Sequence, residues 1–413
     1  MNYLEEDLPI ELPLVDSSII KVIGVGGGGG NAVNHMYRQG IKDVSFVVCN
    51  TDYQALEKSP VPVKIQIGRL GAGGKPEEAR KAAEEHIEKI KDVLRDNTEM
   101  VFITATMGGG TGTGASPVIA KAARELGILT VGIVTIPFAF ELRRKIEQAL
   151  QGVLALSEHV DALLVINNEK LREIYPELNL FNAFAKADDV LTNAAKGIAE
   201  IITIPGKINI DFADVHSTMK DGKVAIMNTG FASGEKRITK AIENALYSPL
   251  QNTNDVSGAS KILLNFYCSE EHPIGMEESK EIDLFMSKIG DAMNVDVIWG
   301  VTVDETLGEN VKITLIATGF DVSEIPGMPA KDKTEISFTV NGNADISEED
   351  MEKKKEEVIK KAMDEFYGDR IEPEKEPEMD EDTDLPLYSL EDFDDDEKRE
   401  DIENIPAWKR QKK

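Results

Sequence analysis

An α/β chain is expected here: a parallel sheet wound with helices, a long connecting helix, a smaller mixed-sheet α+β region and an acidic tail. Three observations lead to it. Through the first half, apolar runs of strand length alternate with helical patterns, which is how a parallel sheet covered by helices reads in sequence. Two of those runs open directly into glycine-rich stretches that precede helices. From about Asp321 the composition changes to Glu, Asp, Lys and Pro with few large apolar residues.

At 413 residues the chain exceeds one ordinary core, so two domains and an appendage fit its length. Its net charge of -29 argues against nucleic acid or an anionic membrane as partner of the body, because both are polyanions. The charge is uneven. Residues 1–320 hold 44 acids and 31 bases, residues 321–404 hold 31 and 11, and the last nine hold four bases. Cys49 and Cys268 each lie inside an apolar run, so buried reduced thiols are expected rather than a disulfide framework. The five histidines are scattered and no His, Cys or carboxylate cluster has metal spacing, so no metal site is expected on the chain itself. Neither a secretory apolar region nor a long apolar span occurs, and a cytoplasmic protein without membrane insertion is expected.

After a polar leader, residues 1–17, the run Ile19–Ile23 reads as a buried strand that enters Gly24–Asn31. Ala32, Val33, Met36 and Tyr37 then fall at helical spacing. Gly24, Gly26 and Gly29 satisfy the dinucleotide pattern G-x-G-x-x-G, a weak signal when alone. The second strand, Val44–Val48, runs on into Cys49–Asp52, and Asp52 falls late for the ribose acid of a nicotinamide or flavin site. A Walker A reading fails at Gly73–Lys75, where Pro76 follows and Arg69 stands in place of the first glycine. Residues 76–95 read as a solvated helix.

The stretch Met107–Ala115 carries the strongest signal. It follows the strand Met100–Ile103 and precedes the helical pattern Ser116–Ala123. Five glycines within the seven positions Gly108–Gly114, with two threonines between them, exceed what a turn needs. Glycines let backbone N–H groups approach a ligand closely, and the next helix adds unsatisfied donors and a positive dipole end. The pairing suits phosphate. Ile128–Thr135 is a further apolar strand, and in a parallel sheet both glycine stretches fall at the carboxyl edge where ligands bind.

Gly108–Gly114 resembles the signature loop of the tubulin/FtsZ family, and Asn50-Thr51-Asp52 follows the second strand as in its FtsZ branch. The hexapeptide Asn209–Asp214 resembles that branch's synergy loop. The resemblance covers nearly all of residues 18–320 and returns at 405–410. It implies a GTP-binding domain over 18–180, a central helix over 181–204, and a C-terminal domain over 205–320 holding the catalytic loop 209–214. A disordered acidic linker, 321–404, and a partner-binding peptide, 405–413, would follow. The implied activity is a GTPase that polymerises head-to-tail into filaments of the contractile division ring at the septum, in the cytoplasm at mid-cell beneath the inner membrane. GTP or GDP would be bound, with Mg²⁺ carried on the nucleotide phosphates.

Gly26, Gly27, Gly28, Gly29, Gly30 and Asn31 are expected on the phosphates, together with Gly108, Gly109, Gly110, Thr111, Gly112 and Thr113. By resemblance Glu141 accepts a ribose hydroxyl. The family commonly has arginine four residues later, where this chain has Lys145 preceded by Arg144, so either is the candidate contact. By resemblance also, Phe184 lies against the base, with Asn168 and Asp189 on its edge. A carboxylate accepts from guanine N1–H and N2–H together, and adenine lacks that pair.

Asp211 and Asp214, three residues apart, suit orienting or deprotonating a water for phosphoryl transfer, with Asn209 in the same hexapeptide. Isolated pairs of that spacing are more often helix caps. The helical pattern before them, about 23 residues, spans about 35 Å, so they do not reach this chain's own phosphates. The family's solution is head-to-tail assembly, a heterologous contact that generates filaments.

Beyond it, Val224–Met227, Lys261–Cys268, Val295–Val301 and Val311–Ala317 read as strands, with helices near 235–247 and 276–293. The end, Ile405–Lys413, resembles the family's tail peptide, which docks onto membrane tethers and regulators. An NAD- or FAD-dependent Rossmann oxidoreductase using Gly24, Gly26 and Gly29 is the alternative. It leaves the second glycine stretch, residues 209–214 and the tail unexplained. A GTP-binding polymer without catalysis is a third reading, opposed by Asp211 and Asp214.

Overall fold

The computed structural model describes residues 18–246, 258–293 and 295–320, together with Ile359, Lys360, Met363, Tyr367, Leu387, Tyr388, Gln411 and Lys412. Residues 1–371 and 372–413 are two units. In the second, Leu387–Tyr388 pairs in parallel with Gln411–Lys412. The expected leader and most of the expected linker and terminal peptide lie outside the described residues.

Six strands form the first half: β1 (Ile20–Val25), β2 (Ser45–Asn50), β3 (Val63–Gln66), β4 (Met100–Thr106), β5 (Leu129–Ile136) and β6 (Ala162–Asn167). They lie side by side in the order β3-β2-β1-β4-β5-β6, every pair parallel. This is the doubly wound order, built outward from β1 in both directions. Alternate residues divide between two cores. Ile23 and Val25 of β1 join Val101 and Ile103 of β4 on one face, and Ile20 and Val22 join Met100 and Phe102 on the other.

The first face is covered by α3 (Pro76–Glu85), α4 (Ile87–Arg95), α5 (Gly110–Glu125) and α6 (Arg143–Ser157). On the second lie α1 (Gly26–Arg38), α2 (Tyr53–Lys58) and α8 (Leu180–Thr203), while α7 (Asn168–Ile174) follows β6. The single helix expected over 76–95 is two, broken at His86, whose backbone leaves the helical region at φ -106° and whose Nδ1 lies 2.9 Å from the Ala82 carbonyl oxygen.

The second half carries β7 (Gly206–Ile208), α9 (Phe212–Met219), β8 (Lys223–Ala232), α10 (Arg237–Leu246), β9 (Lys261–Cys268), α11 (Ser279–Met293), β10 (Asp296–Val303) and β11 (Val311–Phe320). Its pairing is mixed: β11 runs antiparallel to β8 and β9, while β9 and β10 are parallel. The two halves share one 11-stranded sheet. The junction is thin, because β6 meets β8 only through Ala162 with Lys223 and Leu163 with Val224.

Helix α8 makes the larger connection. Asn179 caps it, accepting from the Asn182 N–H at 2.9 Å, and Leu191, Ala195, Ile198 and Ile201 bury against the second core. Gly197 lets it approach β8, since a Cβ there would lie 2.3 Å from Met227 Cε. Near its end Glu200 Oε2 pairs with Lys312 Nζ of β11 at 3.1 Å. With 24 residues the helix is about 36 Å long.

Because Ile198 is fully buried in the core shared by both halves, Ile198→Ala should lower stability by about 2–5 kcal/mol. Urea unfolding followed by circular dichroism should show one transition displaced to lower denaturant, not the selective loss of one half.

Candidate functional site

β1 and β4 are neighbours at the point where the winding of the sheet reverses. Open α/β sheets bind ligands in the crevice outside the strands' carboxyl ends at that point. From β1 the chain enters α1 on one face, and from β4 it enters α5 on the other. Two helix N-termini therefore meet there. At neither does a side chain cap the helix, the N-cap positions being Val25 and Gly109. The leading N–H groups lack intrahelical partners and the dipole ends are positive, so the pair forms an anion cradle.

Glycine permits the convergence. A Cβ on Gly29 would lie 2.2 Å from the Thr104 carbonyl oxygen, and one on Gly112 2.6 Å from that of Thr106. Gly26 has φ +75°, and its Cβ would stand 2.8 Å from the Gly112 nitrogen of the opposite helix. The run expected as a loop, Gly26–Asn31, is the opening of α1 itself, and Gly110–Thr113 likewise opens α5. Gly108 turns at φ +91° and its N–H donates to Thr113 Oγ1 at 2.9 Å.

A cavity of about 390 Å³ lies before these termini, lined by Gly27, Gly28 and Asn31 of α1 and by Gly109, Gly110, Thr111 and Gly112. Gly26, Gly29, Gly108 and Thr113 stand behind that lining and hold its backbone, and Gly30 continues α1. Thr106 and Thr135 close the floor, with their hydroxyls 3.2 Å apart.

The opposite wall comes from α6, α7, α8 and a 3-10 turn at Ala139–Glu141. Glu141 is held by the Phe138 N–H, which donates to its Oε1 at 3.0 Å, and by Lys145 Nζ, 2.5 Å from its Oε2. Of the two candidate cations, Lys145 lines the cavity and Arg144 is exposed outside it. Leu142, between the turn and α6, holds φ +74° as a non-glycine residue, a local strain of about 1–3 kcal/mol.

Asn168 is 1% exposed, lines the cavity, and its Oδ1 is buried without a hydrogen-bond partner. That orphaned acceptor fits a ligand N–H or O–H. Phe184 presents a half-exposed ring, packed edge-on against Phe138 at 5.3 Å. Asp188 lines the cavity, whereas Asp189 turns away to pair with His35 Nε2 at 2.8 Å. Burial pushes the Asp188 carboxyl up to about 6, with His35 opposing and Asp189 reinforcing the shift. Asp188 was missed by sequence reasoning, yet helical phase contains the signal: it stands four residues after Phe184 and shares its side of α8, while a fifth residue rotates away.

Other residues do not converge here. Asp52 is absent from the cavity lining and caps α2, accepting from the Gln54 N–H at 2.9 Å. Asp211 and Asp214 form a reciprocal capping box on α9, each carboxylate accepting the other's backbone N–H at 3.0 Å. Asn209 Oδ1 accepts from the Gly206 N–H at 3.0 Å. All three follow the end of α8 remote from Phe184. A larger groove of about 590 Å³ between α3, α5 and α6 is lined by Glu77, Glu84, Glu125 and Glu158 against Arg80 and Lys121, an acidic excess that opposes an anion. Among the described residues no group of three or more His, Cys, Asp or Glu side chains could hold a metal ion.

Residues 19–176 match the profile of the Tubulin/FtsZ family GTPase domain, and residues 223–321 that of the FtsZ family C-terminal domain. The chain belongs to the FtsZ family. The cell division protein FtsZ of Porphyromonas gingivalis is 56% identical over 327 residues, 78% of this chain and 69% of that protein. That of Aquifex aeolicus is 45% identical over 309 residues, 73% and 83% of the two chains. An empty FtsZ dimer of M. jannaschii superposes with TM-score 0.67 at 38% identity, covering 81% of this chain and 97% of that one. CetZ2 of Haloferax volcanii, 19% identical with TM-score 0.61 over 74% and 94% of the chains, shares the fold. As an FtsZ-family cell-division GTPase, the protein binds guanine nucleotide and hydrolyses GTP.

Because Thr106 is backbone of β4 and cannot yield, Gly112→Ala should push the α5 terminus from the cradle at about 1–3 kcal/mol. Calorimetric titration with GDP should show affinity reduced about 5- to 150-fold by the same overpacking.

Proposed function

We propose that GTP lies with its phosphates across the N-termini of α1 and α5 and its base against Phe184, and that hydrolysis is completed by Asn209, Asp211 and Asp214 of the next subunit in a filament. The observation that carries this is the pair of uncapped helix N-termini meeting over one cavity. Glu141 takes the ribose, and Lys145 beside it supplies a positive charge that Arg144, outside the cavity, does not. Asn168 Oδ1 and the Asp188 carboxylate read the guanine edge, in place of the expected Asp189. Mg²⁺ rides on the phosphate oxygens, where it neutralises charge, as a hard cation prefers.

The remote carboxylates favour a shared site. Phe184 and Thr203 are 19 residues apart on α8, about 29 Å at its rise, and the 209–214 segment lies beyond. The capping box occupies one oxygen of each carboxylate and fixes both relative to α9, leaving the second oxygens to hold a water. The M. jannaschii relative is a dimer, which agrees with self-association. The filament builds the division ring, in the cytoplasm at mid-cell, and residues 405–413 bind membrane tethers and regulators. No described helix is long and apolar enough to cross a membrane.

Turnover should be negligible in dilute protein and rise once filaments form, with phosphate release and light scattering followed together. Asp214→Asn keeps the oxygen that accepts from Asp211 and removes the charge. It should bind GTP and assemble while losing at least about 100-fold in hydrolysis, the lower range of a general base's contribution. Loss of GTP binding in that variant would refute the division of labour.

Asp188 adds a pH dependence. Its folded value lies above its ordinary one, so its contribution to the stability of the empty protein is present below pH 3.8 and lost as pH rises through about 6. Guanine recognition has the opposite sign, since only the ionised carboxylate accepts from both N–H groups. GDP affinity should therefore weaken as pH falls through about 6, and Asp188→Asn should bind more weakly at neutral pH and lack that component. Titration calorimetry across the window checks both.

A further inference from the structure

The expected linker contains three side chains that are buried. Ile359, Met363 and Tyr367 are helical and only 7, 3 and 2% exposed. Their spacing of four places them on one side of a helix. They belong to the same buried cluster as Ile136, Ala139, Ile146 and Val165, so they pack on the face that carries α6. Lys360, between them in sequence, is exposed. Each buried apolar side chain contributes about 1.5–3 kcal/mol.

The polar contact is more informative than the apolar ones. Tyr367 donates its hydroxyl to the Pro137 carbonyl oxygen at 2.7 Å, in a buried hydrogen bond. Pro137 opens the turn that forms one wall of the nucleotide cavity. Its next residue, Phe138, is 1% exposed, donates its N–H to Glu141 Oε1, and backs Phe184. The following N–H, of Ala139, donates to Glu169 Oε2 at 2.9 Å. Leu142, at φ +74°, needs a surrounding structure that holds its strain. Tyr367 and Glu169 grip the turn from outside the cavity while Glu141 and Phe184 face into it.

We propose that Tyr367 is a positioning residue for the nucleotide, its hydroxyl fixing the Pro137 carbonyl and thereby the turn that aims Glu141 at the ribose and supports Phe184 under the base. Tyr367 lies in the span otherwise read as a spacer, so a residue of that span acts on the GTP site in cis. The inference rests on the nucleotide reading above. Burial, with the Glu169 and Glu141 charges adding to it, pushes the phenol well up, so it remains a donor throughout the neutral range.

The test uses the full chain and mant-GDP as probe, with steady-state GTP hydrolysis measured above the assembly threshold. Tyr367→Phe keeps the ring and removes the donor. It should bind mant-GDP about fivefold more weakly and raise KM for GTP by a similar factor, the effect of one hydrogen bond, with kcat unchanged and Tm lowered only by the few degrees that one buried hydrogen bond accounts for. Met363→Asp, which undocks the segment, should weaken mant-GDP binding further, and Lys360→Ala should bind as the unsubstituted chain does. Unchanged affinity and KM in Tyr367→Phe would overturn the proposal whatever Met363→Asp does. A fall in kcat alongside the KM change would overturn it in favour of a purely structural role. Failure of the unsubstituted chain to bind mant-GDP would overturn the nucleotide reading itself, and this inference with it.

Discussion

Two positive helix ends are brought to one point by the sheet, and an anion between them resolves what is otherwise an unfavourable meeting. Strand order makes β1 and β4 neighbours, so the helices that follow them start side by side on opposite faces. Uncapped N–H donors and like-signed dipole ends at such a place are costly without a partner, and a triphosphate supplies three acceptor-rich anionic groups. Glycine is the condition for this geometry rather than ornament. The openings of α1 and α5 touch β4 backbone at distances that exclude any Cβ. Helix-forming tendency is sacrificed at those positions, by up to about 1 kcal/mol for each glycine in a helix interior. Burial of Ala32, Val33 and Met36 on α1 and of Ile119, Ala120 and Ala123 on α5 offsets it.

Helix α8 sets the second constraint. It presents Phe184, Ala187 and Asp188 to the cavity at one end, and its other end leads to the capped carboxylates of the 209–214 segment. A rigid rod of 24 residues cannot fold its ends together, so the cavity and the paired carboxylates stand apart within one chain. Reading Asp211 and Asp214 as a helix cap does not compete with reading them as catalytic groups. The cap is what holds two carboxylates in fixed relation at an exposed place. Exposed Ile204 and Ile208 border the same segment, as an interface between subunits would require.

Strand and helix patterns made the parallel sheet legible, because strands buried on both faces are nearly continuous apolar runs. The meeting of two glycine-opened helix N-termini over one cavity was legible too, since glycine density after a strand has few other physical uses. What failed was fine phase. Asp188 and Asp189 are adjacent and chemically identical, so only the rotation of α8 about its axis separates the cavity residue from the partner of His35. Arg144 and Lys145 posed the same ambiguity and were separated by the rotation of α6. The break at His86 leaves no proline or glycine as a mark. Ile359, Met363 and Tyr367 were hidden for another reason: three apolar residues diluted among Glu, Lys and Asp do not shift local composition, yet at intervals of four they suffice to dock one side of a helix.

The claim that grip and water activation belong to different subunits is tested most directly by mixing two disabled chains. Gly112→Ala subunits retain the 209–214 loop and lack a sound cradle, while Asp214→Asn subunits have the reverse defect. Phosphate release is measured for each alone and for the equimolar mixture, with co-sedimentation reporting whether they assemble together. Hydrolysis in the mixture should clearly exceed the sum of the separate rates, because a nucleotide held by one chain meets an intact loop from the other. A mixture that co-assembles yet hydrolyses no faster than that sum would contradict the shared site.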